Sequence, residues 1–457
     1  MVDAVHRDCF VEGVQEYVIL NRRREDTRTL SITNQTAHMG SDKMENIEYT
    51  TDAQKFIYSG EDPYVSDNII INRDKDRLDV LTAIKNKAIE LEQSKPIRRG
   101  VLERIQQLGV IIDAENDKSI TEELLRRYKE KSIEVTESTK KTLKNWIAGS
   151  FASSAQDNRH NLYNLCLALD MRVEDVIDFF RRRFMTIPFN SKDRTDAVYY
   201  YGFLRGLTYT NIQKILHKAE RIKSSKYTYE KASVAILKDI STIKDDDMFL
   251  EYLKENTYDK EMQFKTARME IKNLLSKCAD VARLDIDNHC DTGAADRKKS
   301  RSVIRDDKPQ SIIMNRLIND IYGYNVQDNY RKKEASIKKR LDLPKSFKRC
   351  LPVHTEFNDV VSGNALSPET YRKTIILLNL YHFFRSYESA FKIEGQGGNE
   401  EIAEYDLYDS FKSETSNILV RCAFVELYEM NPFDFIILNC AYKEDPVECF
   451  RDIMTGG

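Results

Sequence analysis

After Asp76 the apolar residues of this chain recur at every third or fourth position, and the spacing predicts one helix after another. RLDVLTAIKNKAIELEQ carries them at 78, 80, 81, 84, 88, 89 and 91, close to the i, i+3, i+4, i+7 pattern of a single buried helical face. RGVLERIQQLGVII and ITEELLRRYKEKSI follow, then Thr139–Ile147, Asn158–Leu169 and Val173–Phe184. Pro188, in MTIPFN, breaks the run, and SKDRTDAVYYYGFLRG and YTNIQKILHKAERI resume it. Between 226 and 300, KASVAILKDISTI, DDMFLEYLKENT and KEMQFKTARMEIKNLLSKCADVARL predict amphipathic helices with charged outer faces. DIDNHCDTGAADRKKSRSVIRDDKP has no apolar period and predicts a linker. A last helical block runs from about Gln310 to Met454, most apolar in RKTIILLNLYHFF and DFIILNCAY. The first 75 residues are polar and poorly periodic, with VQEYVIL and NIIIN the strand-like runs; no fixed structure is expected of NRRREDTRTLSITNQTAHMGSDKMEN between them.

Composition narrows the functional classes. The 457 residues suffice for two or three domains with real cores. A formal net charge of −3 excludes a globally basic nucleic-acid binder but leaves room for a local basic face. No run of about 18 apolar residues occurs, so no membrane span is expected. The start, MVDAVHRDCFVEGVQEY, lacks an apolar stretch after a basic one, which predicts a cytoplasmic rather than a secreted chain. Eight cysteines, at 9, 166, 278, 290, 350, 422, 440 and 449, form no CxxC pair and read as thiols in a reducing compartment.

One stretch carries the candidate chemistry. In TKKTLKNWIAGSFASSAQDNRHNLYNLCLALDM, Thr139 to Met171, Thr139 is placed to cap a helix. Lys140, Lys141, Lys144 and Asn145 then fall on the outward side, while Leu143, Trp146 and Ile147 face inward. Gly149 supplies the left-handed stop, and SFASSAQDN is a loop. Leu162, Leu165, Cys166 and Leu169 form one face of the next helix; Met171, Val173, Val176, Ile177 and Phe180 point inward from the one after. From Thr139 to His160 the basic residues Lys140, Lys141, Lys144 and Arg159 stand against Asp157 alone. Lysines in a first helical turn oppose the helix dipole, which suggests another use for them, such as phosphate contacts. Asn145 has the donor and acceptor to read adenine in a major groove. The competing reading is a core helix with a solvated lysine face.

This layout resembles the λ-repressor-like (XRE) helix-turn-helix over Thr139 to Phe184: a short helix with Thr-Leu then Trp, a Gly three residues on, a polar loop, a Leu-rich helix, and then RVEDV. The resemblance implies that the helix before Gly149 is a recognition helix and that the two after it buttress the core. RHNLYNLCLALDM, VEDVIDFF and DRTDAVYYYGF also resemble segments that follow such a domain in uncharacterised Firmicutes proteins, as does the tail NPFDFIILNCAYKEDPVECFRDIM, often in proteins tied to mobile elements. The turn differs from the family's: SIEVTES separates the two helices, longer than usual and without the usual small residue and Gly.

HTEFNDVVSGNALSPETYRKTIILLNLY (354–381) echoes the first motif, with Phe357 matching Leu143, Val360 matching Trp146, Gly363 matching Gly149 and Arg372 matching Arg159. It reads either as a second, degenerate helix-turn-helix-like module or as a chance recurrence of helix, Gly stop, cap and helix. Arg181, Arg182 and Arg183 close DVIDFFRRRF, where they complement a helix C-terminus; the other reading is a phosphate clamp.

Motifs for other chemistry are missing. The chain has no GxGxxG after a strand, no GxxxxGK[ST], no HExxH and no GxSxG. His289 and Cys290 lack companions at metal-ligand spacing. Asp285-x-Asp287-x-His289 resembles the start of a calcium loop, but Cys290 stands where Gly is needed and no Glu closes it. No catalytic set, metal or cofactor is expected.

The sequence thus predicts a mostly α protein: a polar, irregular or poorly ordered N-terminal region (1–75), a helical domain with a helix-turn-helix-like core (76–225), a helical connector and charged linker (226–309), and a C-terminal helical domain (310–457). The expected function is a bacterial regulatory protein of the helix-turn-helix type, carried on a mobile element, that binds double-stranded DNA through Thr139, Lys140, Lys141, Lys144, Asn145 and Arg159. The alternative is a helical module for a protein partner or for homodimerisation, with a degenerate helix-turn-helix and no DNA binding.

Overall fold

The computed structural model describes residues 77–150, 159–224, 233–289, 309–323, 343, 348–352, 354–361, 363–364, 367–394 and 404–455. The strand-like runs VQEYVIL and NIIIN lie outside them. The described residues belong to one compact unit, apart from Glu388–Glu394 at the end of the helix Pro368–Glu394. The described residues are mostly helical and contain no strand; their one extended pairing is an isolated bridge between Asp193 and Tyr258.

The helices are α1 (Arg77–Ser94), α2 (Pro96–Gln107), α3 (Asp117–Glu130), α4 (Glu137–Ile147), α5 (Arg159–Ala168), α6 (Val173–Phe179, extended by a π-helical turn, Phe180–Phe184), α7 (Arg194–Leu204), α8 (Tyr209–Glu220), α9 (Ser233–Thr242), α10 (Asp246–Asn256), α11 (Lys260–His289), α12 (Pro309–Tyr322), α13 (His354–Val361), α14 (Pro368–Glu394), α15 (Glu404–Arg421), α16 (Pro432–Ala441) and α17 (Pro446–Thr455). The expected linker begins later than its charge suggests, because DIDNH is the last turn of α11. VII after α2 is not helical; the helix stops at Gln107, ahead of Gly109 in the left-handed region.

Two apolar cores form. The first gathers α2 to α10, with Ile97, Val101, Ile120, Leu124, Leu143, Trp146, Leu162, Leu165, Val176 and Phe180 all buried. The second gathers α11 to α17 and also α1, whose Val80, Ile84, Ala88 and Leu91 pack there. Sequence order alone would have placed α1 with α2, its neighbour across Lys95. Ile89, counted on the apolar face of α1, remains 45% exposed.

The echo between the halves extends into backbone detail. In α4, Gly149 N donates to Trp146 O (3.2 Å) and Ser150 N to Asn145 O (2.9 Å); in α13, Gly363 N donates to Val360 O (3.0 Å) and Asn364 N to Asp359 O (2.9 Å). Both glycines have positive φ, 110° and 80°, and so end their helices with the same left-handed stop. Leu143 and Trp146 are buried, as are their counterparts Phe357 and Val360.

The similarity continues downstream. Arg159, opening α5, donates to Asp196 Oδ2 (2.7 Å), Pro188 O (2.8 Å) and Ile187 O (3.1 Å). Arg372, in α14, donates to Asp434 (2.9 and 2.6 Å), Val425 O (2.9 Å) and Glu426 O (3.0 Å). Each carboxylate sits at the third position of its helix, α7 or α16, behind a capping Asp193 or Asn431. Each also accepts a backbone N–H from six residues upstream, Asn190 at 2.8 Å and Tyr428 at 3.0 Å. Eleven residues before each carboxylate, just past the preceding helix, the backbone is left-handed, at Met185 (φ 53°) and Ala423 (φ 54°). α7 then packs on α8 as α16 packs on α17. The segments α4–α8 and α13–α17 thus share one modular layout, a helix with a left-handed Gly stop, a buried Arg–Asp clasp and a closing helix pair, although α14 and α15 are much longer than α5 and α6. Their connecting loops meet: Ile187, Val425 and Tyr428 form a small apolar cluster, and Asn190 Nδ2 donates to Ala423 O (2.7 Å).

Candidate nucleic-acid interface

The candidate site is the pair α3 and α4, which pack on each other across the turn Lys131–Thr136. Asn116 caps α3 by accepting Lys118 N (3.0 Å), and Ile120, Leu124 and Tyr128 anchor its inner face. The turn is longer than the helix-turn-helix pattern prescribes, yet it is built firmly. Ser132 takes the left-handed conformation (φ 57°) that Gly would supply, Ile133 N returns to Tyr128 O (2.8 Å), and the Ile133 side chain is buried.

α4 starts at Glu137, two residues before the expected start. Its cap is Thr136 and not Thr139: the Thr136 Oγ1 accepts Thr139 N at 3.1 Å, and the acidic Glu137 follows it. This removes the electrostatic oddity read from the sequence. Lys140 and Lys141 sit beyond the first turn, and the first turn holds Glu137, which suits the dipole. Lys140 pairs with Glu137 at 2.7 Å, and that hydrogen bond holds the Glu137 carboxyl below its ordinary value.

The inner face of α4 is fixed by Leu143, Trp146 and Ile147, all buried, with the Trp146 ring 6.0 Å from that of Phe184. On the opposite face Lys141, Lys144 and Asn145 are exposed. The helix thus presents two lysines and an amide to solvent from a backbone locked by its core side. Lys131, at the start of the turn, is engaged by Asp170.

The six residues expected to touch DNA therefore divide. Lys141, Lys144 and Asn145 share the exposed face. Lys140 is tied to Glu137, and the Thr139 hydroxyl lies 2.9 Å from that of Thr136. Arg159 is corrected outright: it is 4% exposed and bound to Asp196, Tyr163 and two carbonyls, so it belongs to the core and not to this surface. Burial works against its charge and the Asp196 carboxylate more than offsets this, so the guanidinium stays firmly protonated.

The arginine triplet is no phosphate clamp either. Arg181 is buried, Arg183 reaches Glu103 (2.5 Å), and Arg182 pairs with Asp178 (2.9 Å). These lie in a π-helical turn whose extra residue turns Arg181 inward rather than along a helix end.

Sequence reading missed the two Arg–Asp clasps, whose partners are far apart in the chain. The available signal was the spacing Asp193-x-x-Asp196 and Asn431-x-x-Asp434, a cap followed by a carboxylate at the third helical position. Asp193 is itself unusual: burial, then the neighbouring Asp196 charge, push its carboxyl up to about 7.

Among the described residues, no group of three or more His, Cys, Asp or Glu side chains converges as a metal site, and no helix is long and apolar enough to cross a membrane. No protein-family model, curated protein or solved structure matches the chain.

Proposed function

We propose that the α3–α4 pair binds double-stranded DNA and that the protein acts as a regulator of the helix-turn-helix type. The observation that carries this reading is the two-sidedness of α4: Trp146, Leu143 and Ile147 fix one face in the core, while Lys141, Lys144 and Asn145 stand exposed together on the other. A helix of this kind fits a major groove roughly 12 Å wide. The lysines neutralise phosphates, which positions the helix without reading sequence. Asn145 has the geometry for a bidentate contact to adenine, a discrimination of about 1–3 kcal/mol. Arg159 and the arginine triplet serve the fold, so the electrostatic contribution rests on few charges and the affinity for random DNA is modest.

The test is fluorescence anisotropy of a labelled random-sequence duplex at low salt, with the full chain and with Lys141→Glu/Lys144→Glu. The expected result is binding by the wild type and at least a tenfold loss in the variant, with unchanged circular dichroism. Equal binding by both, or by neither, overturns the reading and points to a protein partner for this face.

A further inference from the structure

The two modules match in fold but not in charge. Superposing the sequence on the shared helix, Gly stop and buried pair sets Thr355 at the position of Lys141, Asn358 at that of Lys144 and Asp359 at that of Asn145. Glu356 takes the place of Thr142. α4 thus carries three lysines and one glutamate, whereas α13 carries Glu356 and Asp359 with no Lys or Arg. Asp359 is exposed and Glu356 half-buried. A carboxylate brought against a phosphate backbone gains no counterion release and adds like-charge repulsion, an element that specifies against a partner.

From this we infer that the chain engages duplex DNA through α4 alone, one groove face per chain, and that α13, although it keeps the backbone of the same module, is barred from DNA by its acidic side chains. The inference rests on the DNA reading above and adds the form of the complex. The duplicated module does not serve as a built-in pair of readers. A single chain covers no more than about one helical turn, roughly 10 base pairs, and its preferred sequence has no internal dyad. The second copy keeps what the fold needs: the left-handed stop at Gly363, the buried Phe357 and Val360, and the Arg372–Asp434 clasp. Glu356 in the first turn of α13 is also well placed for that helix's own dipole, which explains how an acidic face persists at no cost to folding.

The experiment uses the full chain and labelled random-sequence duplexes of about 30 and about 15 base pairs, lengths that do and do not admit two half-sites a turn apart. The expected results are that shortening the duplex lowers the affinity less than tenfold, by about the three- to fourfold set by the smaller number of 10-base-pair positions on the shorter duplex, and that Glu356→Gln/Asp359→Asn binds at least as tightly as the wild type. A loss greater than tenfold on shortening the duplex, or weaker binding on neutralising Glu356 and Asp359 with circular dichroism unchanged, overturns the one-face inference while leaving DNA binding itself in place. Absence of binding by the wild type to the longer duplex at low salt overturns the DNA reading and this inference with it. The duplex-length comparison needs no substitution, so a poorly folding variant does not blunt the test.

Discussion

The Arg372 guanidinium holds the Asp434 carboxylate through two hydrogen bonds, 2.9 and 2.6 Å, with both side chains enclosed by α14, α16 and the loop before α16. Arg159 pairs with Asp196 in the first half, there through the single oxygen Oδ2, and the two arginines are near enough that the charge on Arg159 works against that on Arg372. Loop carbonyls take further N–H donors of each guanidinium, which helps such a charge to sit in a core.

Removing one partner of either clasp strands a buried charge. Asp434→Asn or Arg159→Met should each cost about 3–5 kcal/mol, read as a shift in the urea midpoint. In the double variant Arg159→Met/Asp196→Leu the loss should be smaller than the sum of those of Arg159→Met and Asp196→Leu alone, because no charge is then left unpaired. Additive losses would mean that the pair is not the unit.

Asp193 predicts a pH dependence of definite sign. Its folded pKa of about 7 lies above the ordinary carboxylate value, so between pH 4 and 7 the folded state holds a proton that the unfolded state has released. Stability from this group is therefore greatest at the acid end and is lost as pH rises through that window. Asp193→Asn keeps an N-cap acceptor and removes the titration. Between pH 5 and 7 the urea midpoint of the variant should fall less with rising pH than that of the wild type; parallel curves would show that Asp193 ionises normally.

The two glycine stops should differ in what they tolerate. Gly363→Ala meets only the cost of positive φ, about 1–2 kcal/mol, since nothing lies within 4 Å of the added methyl. Gly149→Ala carries that cost and also presses on Lys95, whose Cγ lies 3.1 Å from the new carbon. The larger drop in melting temperature should belong to Gly149→Ala. The φ values point the same way, since 110° at Gly149 lies farther than 80° at Gly363 from the left-handed region open to alanine, so a larger drop for Gly363→Ala would contradict both arguments.

Trp146→Ala tests the inner face of α4. Loss of the ring from a packed site beside Phe184 should cost roughly 3–5 kcal/mol and disrupt the α3–α4 pair, unlike any change at Lys141 or Lys144.

Much of this was readable from the chain because the signals are local. Helical periodicity located α1 to α10 to within a few residues, and the inward set Leu143, Trp146, Ile147, Leu162, Leu165, Cys166 and Leu169 is buried as its spacing required. The echo at 354–381 was visible because its signature, apolar pair, Gly and downstream Arg, lies within a short window. What escaped was non-local. Arg159 looks like a surface cation until Asp196, 37 residues on, folds against it. The exchange of α1 into the second core has no signature in α1 itself, since an apolar stripe does not name its partner. The start of α4 was misplaced because Thr136 and Thr139 both suit a cap, and the choice follows from Ile133 and the turn before them.

The most direct test of the central claim is the slope of log affinity for a random duplex against log salt concentration, measured for the wild type, Lys141→Gln, Lys144→Gln and the double variant. Each lysine that contacts a phosphate should reduce the steepness by about 1, so the double variant should lose about 2. Wild-type binding that is indifferent to salt, or slopes that are the same in all four proteins, would contradict a DNA-facing α4.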